Sequence, residues 1–222
     1  MDPRFEIINV KAGIEEENAQ NAEKVRAYCR ENRIRFINVM GSPGAGKTTV
    51  LTRLIDALKD TVPVSVIEAD VDADVDAVTV SDRGAKAVQL HTGGSCHMDA
   101  LMTMAGLRAL SPAPGSVVFL ENIGNLVCPA EFDTGAFLKI VILSVPEGDD
   151  KPLKYPLMFT VADVFLINKI DTAPVFDFSL ERFKKNVASL NESAPVFPVS
   201  GTTGEGFCEL AAWIKEKLDE NH

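Results

Sequence analysis

The stretch RFINVMGSPGAGKTT, residues 35–49, decides how the rest of the chain is read. An apolar run, RFINVM, passes straight into GSPGAGKTT, residues 41–49, which matches G-x-x-x-x-G-K-[ST]. A strand that turns through glycines into a helix leaves backbone N–H groups pointing inward, with the positive end of the helix behind them. Gly41, Ser42, Pro43, Gly44, Ala45 and Gly46 are therefore expected to wrap the phosphates of a nucleotide, with Thr49 completing the loop's contacts. Lys47 should reach the outer phosphates and Thr48 should put its hydroxyl on Mg²⁺.

Outward from this loop, short apolar runs recur at 63–69, 85–90, 116–122, 137–145, 163–169 and 194–200. Most are continuous rather than alternating, the mark of strands covered on both faces. Helical periodicity fills the gaps, as in TTVLTRLIDALKD, HMDALMTMAGLRAL, FSLERFKKNVASLN and GFCELAAWIKEKLDEN. Strand–helix alternation predicts a three-layer, doubly wound α/β fold with a mostly parallel sheet, a P-loop NTPase. Residues 1–33 read as an N-terminal helical arm, with a polar helix over 14–33, and 34–222 as one P-loop domain with an embedded metal site.

NKID, residues 168–171, ends the apolar run DVFLI. Downstream of a P-loop, N-K-x-D resembles the guanine-specificity motif of P-loop GTPases. That resemblance implies that Asn168 supports the loop and touches the base, that Lys169 lays its stem over it, and that Asp171 accepts from the guanine N1 and N2 groups. A carboxylate there would face unpaired acceptors on adenine, so it discriminates by a lost buried hydrogen bond. SGTTGEG, residues 200–206, resembles the base-backing loop of the same proteins and adds Ser200 and Gly201 to the nucleotide contacts.

Carboxylates cluster at strand ends. EADVDADVDA carries Asp70, Asp72, Asp74 and Asp76, and FLENIGN carries Glu121. Asp70 and Glu121 stand where a P-loop fold holds Mg²⁺ or its waters, together with Thr48. Asp70, Asp76 and Glu121 join Lys47 and Thr48 as candidate catalytic residues. Asp72 and Asp74 suit a solvated loop. An EF-hand is excluded by the missing Gly and terminal Glu. No Gln stands at an arguable water-orienting position, so slow hydrolysis is expected.

The 222 residues are 46% hydrophobic, enough for one sizeable core, and carry a net charge of −10. Such a balance argues against nucleic acid or an anionic membrane as partner. With no apolar run of membrane-spanning length and no secretory pattern at the start, a cytoplasmic location is expected. Four Cys in that setting are ligands, nucleophiles or core residues rather than disulfide partners.

TGGSCHMDA, residues 92–100, sets Cys96 beside His97, and NLVCP adds Cys128 soon after Glu121. Both segments follow strands, whose C-terminal ends share one edge of a doubly wound sheet with the nucleotide. The spacing is no C-x-x-C signature, and from the residues alone ligand and core readings both stand. His91 reads as a satisfied polar core residue, Met98, Met102 and Met104 as core filler, and Cys29 and Cys208 as structural. His222 is terminal.

In this order, GSPGAGKTT, TGGSCHMDA, ENIGNLVCPAEFD, EGDD and NKID resemble the hydrogenase nickel-incorporation GTPases, the HypB family of the SIMIBI class. The resemblance runs from about residue 34 to the end. It implies a GTP-hydrolysing metallochaperone that dimerises with GTP and binds Ni²⁺ or Zn²⁺ at the dimer interface. Cys96, His97 and Cys128 match that metal site. Lys154 matches a lysine that reaches towards the partner copy's nucleotide. The implied partners are a second copy of the chain, a hydrogenase maturation protein and the hydrogenase large-subunit precursor. The chain departs from the family's N-terminal Cys or His tracts and places Thr79 where an Arg is usual. Urease-type relatives carry C-P-H, which this chain splits. A zinc-bound scaffold without turnover and a small-molecule kinase are the remaining readings.

Overall fold

The computed structural model describes residues 10–70, 80–81 and 83–220. Asp72, Asp74, Asp76, Thr79 and His222 lie outside the described residues, as does the side chain of Asp70. Seven strands form one sheet: β1 Arg35–Gly41, β2 Val64–Asp70, β3 Lys86–His91, β4 Val117–Glu121, β5 Leu138–Ser144, β6 Val164–Asn168 and β7 Val196–Pro198. Their order is β3-β2-β4-β1-β5-β6-β7, and every pairing is parallel. The doubly wound P-loop fold expected from the sequence is thus the fold observed, with all seven apolar runs as strands.

Parallel strands need crossover helices, and these cover both faces. On one side α2 (Lys47–Leu58) and a last helix, here α8 (Phe207–Asp219), bury Leu51, Leu54, Ile55, Leu210 and Ile214 against Ile37, Val39, Phe119 and Ile142. On the other, α1 (Val10–Glu31) and α3 (Ala100–Leu110) pack Val25, Cys29 and Leu107 over Phe36, Ile67, Val118 and Leu120. The second half of that face is closed by α6 (Pro156–Val161) and α7 (Leu180–Ala188), through Phe159 and Phe183 on Val141 and Phe165. Two short helices, α4 (Cys128–Glu131) and α5 (Lys151–Lys154), also lie among the described residues. Successive strand residues feed opposite layers, so Ile37 and Phe36 lie in different cores. A Leu or Ile truncation in either layer would cost about 2–5 kcal/mol.

The helical arm is not loosely attached. Asn18 donates to the Asp133 carbonyl and accepts from the Ala100 N–H, and Arg26 pairs with Asp133. Burial drives the Cys29 thiol up to about 12, which agrees with a structural role. Met98 is fully buried, and Met102 and Met104 pack against the same core. Two sequence expectations need correction. Cys208 is exposed on α8 because its position falls on the helix's solvent side. His91 is the last residue of the edge strand β3 and is exposed, not a core histidine. No described helix is long and apolar enough to cross a membrane.

Candidate functional site

The strand order reverses at β1, which lies between β4 and β5, so the crevice of the switch point opens at its C-terminal end. Residues 41–46 turn there. Gly41 passes so close to β5 that a Cβ would strike the Ile142 carbonyl. Gly44 and Gly46 hold φ of 74° and 89°, values that L side chains rarely adopt. Gly46 precedes α2 with no side-chain cap, leaving the first N–H groups of the helix open. The Ser42 hydroxyl is buried with no hydrogen-bond partner. Open donors and an orphaned hydroxyl around a helix N-terminus fit phosphate oxygens. Lys47 is buried and folds back over the loop, 3.5 Å from the Ser42 carbonyl.

Thr48 donates to Glu121 at 3.0 Å. Glu121 ends β4 and is buried. Its neighbour in register on β2 is Glu68, 2% exposed, and Glu68 in turn stands beside Gln89 on β3. All three line a cavity of about 310 Å³ together with Pro43 and Lys47. Sequence reasoning missed Glu68 and Gln89. The only available signal was their register, since a carboxylate inside an apolar strand must face something polar. Two carboxylates and a threonine hydroxyl beside a phosphate loop form an oxygen donor set suited to Mg²⁺. Asp70 closes β2 at the same sheet edge.

The NKID segment closes the loop from the far side. Asn168 is buried, donates to the Ala45 carbonyl at 2.9 Å and accepts from the Gly201 N–H at 3.0 Å. Lys169, at φ 60°, donates to the Gly44 carbonyl at 2.7 Å. Asp171 is exposed at the start of a 3-10 turn, Ile170–Val175. Buried Ser200 accepts from the Thr203 N–H, and Arg53 clamps the Gly201 and Thr202 carbonyls. A Cβ on Gly201 would lie 2.7 Å from the Thr49 methyl, so the two loops are in contact.

Cys96, His97 and Cys128 converge, with ligand atoms all within 4.8 Å of one another. The two sulfurs are 2.8 Å apart, and Cys96 Sγ is 3.7 Å from His97 Nδ1. The His97 ring stacks on Phe132 at 3.8 Å. The hydrogen bond that Cys96 donates to Cys128, then burial, hold the Cys96 thiol above its ordinary value. Burial lowers His97, which keeps its imidazole neutral and able to ligate. Two sulfurs and one nitrogen suit nickel or zinc. Sulfurs on one tetrahedral ion stand roughly 3.7 Å apart, given bonds of about 2.3 Å, so ligation would part them by about 1 Å. Among the described residues this is the one such cluster of three, and His91 is not in it.

Residues 121–128 join the two constellations. Asn125 donates its N–H to the Gly41 carbonyl at 3.0 Å and its side-chain amide to the Cys96 carbonyl at 3.4 Å. Its side-chain oxygen accepts from Val127, just before Cys128. A Cβ on Gly124 would be 3.0 Å from the Pro43 backbone. Lys154 pairs with Asp150 at 2.6 Å within its own chain, whereas Lys151 lines the cavity beside Ser42 and Pro43. That lysine, too, went unread in the sequence.

The model of the CobW/HypB/UreG nucleotide-binding domain matches residues 35–198. The hydrogenase maturation factor HypB of Rhizobium leguminosarum bv. viciae is 43% identical over 209 residues, 94% of this chain and 70% of that protein. The hydrogenase/urease maturation factor HypB of Helicobacter hepaticus is 38% identical over 97% of this chain and 90% of its own length. The crystal structure of HypB from Helicobacter pylori in complex with nickel superposes with a TM-score of 0.86 at 37% identity, over 92% of this chain and 96% of that one. With the P-loop, the NKID clamp and the Cys–His–Cys cluster on one sheet edge, this chain belongs to the HypB family of CobW/HypB/UreG nucleotide-binding proteins.

Proposed function

We propose that the chain is a GTP-hydrolysing nickel carrier that serves [NiFe] hydrogenase maturation in the cytoplasm. Segment 121–128 is the observation that carries the reading. It begins at the carboxylate that holds Thr48, touches the phosphate loop through Asn125, and ends at a metal-ligand thiol. A change at the phosphates therefore has a covalently continuous route to the ligands, which is what two-state coupling requires.

In this reading Gly41 to Thr49 bind the phosphates of GTP, with Lys47 on the outer ones. Asp171 accepts from guanine, Asn168 and Lys169 hold the loop that presents it, and Ser200 and Gly201 back the base. Thr48, Glu121 and Asp70 hold Mg²⁺, with Asp76 a further catalytic candidate; Mg²⁺ supplies neutralisation of charge developing on the phosphates. Glu68 and Gln89 belong to the same wall and orient water near the outer phosphate position. Cys96, His97 and Cys128 bind the cargo metal, Ni²⁺ or Zn²⁺, as two thiolates and a neutral imidazole. Three ligands leave a position open, which a second copy completes across a two-fold interface. Lys154 would exchange Asp150 for the partner copy's nucleotide in that dimer. The partners are a maturation protein and the hydrogenase large-subunit precursor. The double name of the Helicobacter hepaticus relative favours urease maturation as a second destination for the same cargo.

The test is molecular mass and nickel content measured together, with GDP and with a non-hydrolysable GTP analogue in limiting nickel, for the wild type and Cys128→Ala. A GTP-state dimer whose nickel is absent from the GDP state and from the variant is expected. Nickel binding indifferent to both would remove the chaperone mechanism and leave a nucleotide-binding protein.

A further inference from the structure

The chain carries ten more negative than positive charges, yet its opposite sheet edge, away from the nucleotide, is basic. The N-terminal ends of β1 and β4 and the C-terminal ends of α1 and α8 enclose a cavity of about 830 Å³ there. Arg30, Arg33, Arg35 and Lys215 line it, against one carboxylate, Asp219. A second cavity of about 340 Å³ adjoins it and shares Arg30 and Arg35, so the two form one trough.

By contrast Arg26, which lines the smaller cavity, Arg83 and Arg182 make ion pairs. Among the described residues Arg30, Arg33 and Lys215 make none. Helix dipoles explain why cations close α1 and α8. Arg33, just past the end of α1, and Arg35, which reaches the last turn of α8, bring two further cations to the same helix ends. Arg35 is fixed by its bond to the Leu218 carbonyl and by the Phe137 ring beneath its guanidinium.

Arg33 is the sharper observation. Ile34 donates to the Cys29 carbonyl and Arg33 to the Arg30 carbonyl, the paired bonds of a Schellman helix ending. The position between them calls for glycine, and here Arg33 holds it at φ 54°. A non-glycine residue at such a position carries backbone strain, and Arg33 is one of the residues that line the cavity.

We propose that this trough docks a carboxylate-rich peptide segment of a partner protein. Compact phosphates are held by N–H groups at helix N-termini. Both helices end here at their C-termini, so recognition is left to long cationic side chains spaced along a wall that also offers Val62 and Leu218. Carboxylates distributed along an extended chain fit that spacing, and arginine forks match them in pairs.

The experiment is fluorescence anisotropy of a fluorescein-labelled hexaglutamate peptide at low salt, with the protein saturated by Mg²⁺ and GDP so that the phosphate loop is filled. Binding is expected, with hexaglutamine inert. Arg30→Gln with Arg33→Gln should weaken it at least tenfold, while Arg108→Gln, an exposed arginine on α3, leaves it unchanged. Arg33→Gly alone should weaken binding while raising the thermal midpoint, since it relieves the strained φ; this variant keeps the test clear of misfolding. No binding by the wild type overturns the proposal, as does equal loss in the Arg108 variant. Tripolyphosphate binding more tightly than hexaglutamate, with the same arginine dependence, overturns it in favour of a phosphate ligand.

Discussion

The nucleotide wall and the metal cluster stand on one sheet edge but are built in opposite ways. Around the phosphate loop, Asn168, Lys169, Thr48 and Arg53 tie four segments together with side-chain hydrogen bonds, and Asn168 is 2% exposed. At the cluster, Cys96 is exposed, His97 leans on one aromatic ring, and the sulfurs touch mainly each other. A wall already held in shape loses little entropy when its ligand arrives. A half-open cluster must be completed by what it binds. The contrast separates a preformed recognition site from a site whose geometry is set on loading.

The largest effect should come from spoiling the preformed wall. Gly46→Ala forces a Cβ onto the Asn168 amide at φ 89°. Nucleotide affinity should fall more than about 100-fold and stability by about 2–4 kcal/mol, read by calorimetry with GDP and by urea unfolding. A variant that binds GDP normally would show the wall to be less rigid than the cluster. Next, Cys128→Ala should lower nickel affinity by roughly 100-fold while GDP affinity stays within about twofold. If both fall together, the two regions are one site.

Asn125→Ala tests the join between them. The loss of two side-chain bonds should cost about 1–2 kcal/mol, and the difference in nickel affinity between nucleotide states should shrink. An unchanged difference moves the coupling to another segment. The smallest effect concerns Asp149, which Arg182 and the Ser179 N–H hold below the usual carboxylate range. Its depressed value means its contribution is full above about pH 4 and disappears as pH falls through the folded-state value. Asp149→Asn should cost about 1 kcal/mol at pH 7, given how exposed Arg182 is, and progressively less as pH falls below the ordinary carboxylate range.

The phosphate loop, the N-K-x-D segment and the seven strands were legible because each is written in contiguous residues: glycines at fixed offsets, apolar runs of strand length. Cys96, His97 and Cys128 were legible only as a set of types in order; their meeting depends on β3 and β4 delivering two loops to one place. Glu68 and Gln89 were not legible at all, since only parallel register sets Glu68 beside Glu121 and Gln89 beside Glu68. Asn125 stands inside ENIGNLVCP, a segment that carries the family resemblance, but its three contacts exist only after the chain turns back under Gly41. The exposed positions of His91 and Cys208 were misread because helix and strand phase near an element's end is weakly specified by periodicity.

Asn168 has a consequence for how the protein is made. It bonds to Ala45 on one side and Gly201 on the other, residues separated by most of the chain. A ribosome that has finished the phosphate loop has therefore made only part of the pocket. The clamp closes only when the last strand and the loop after it have joined the sheet. A chain folded only as far as β6 would hold the phosphate-loop donors but lack the loop that Asn168 ties to them.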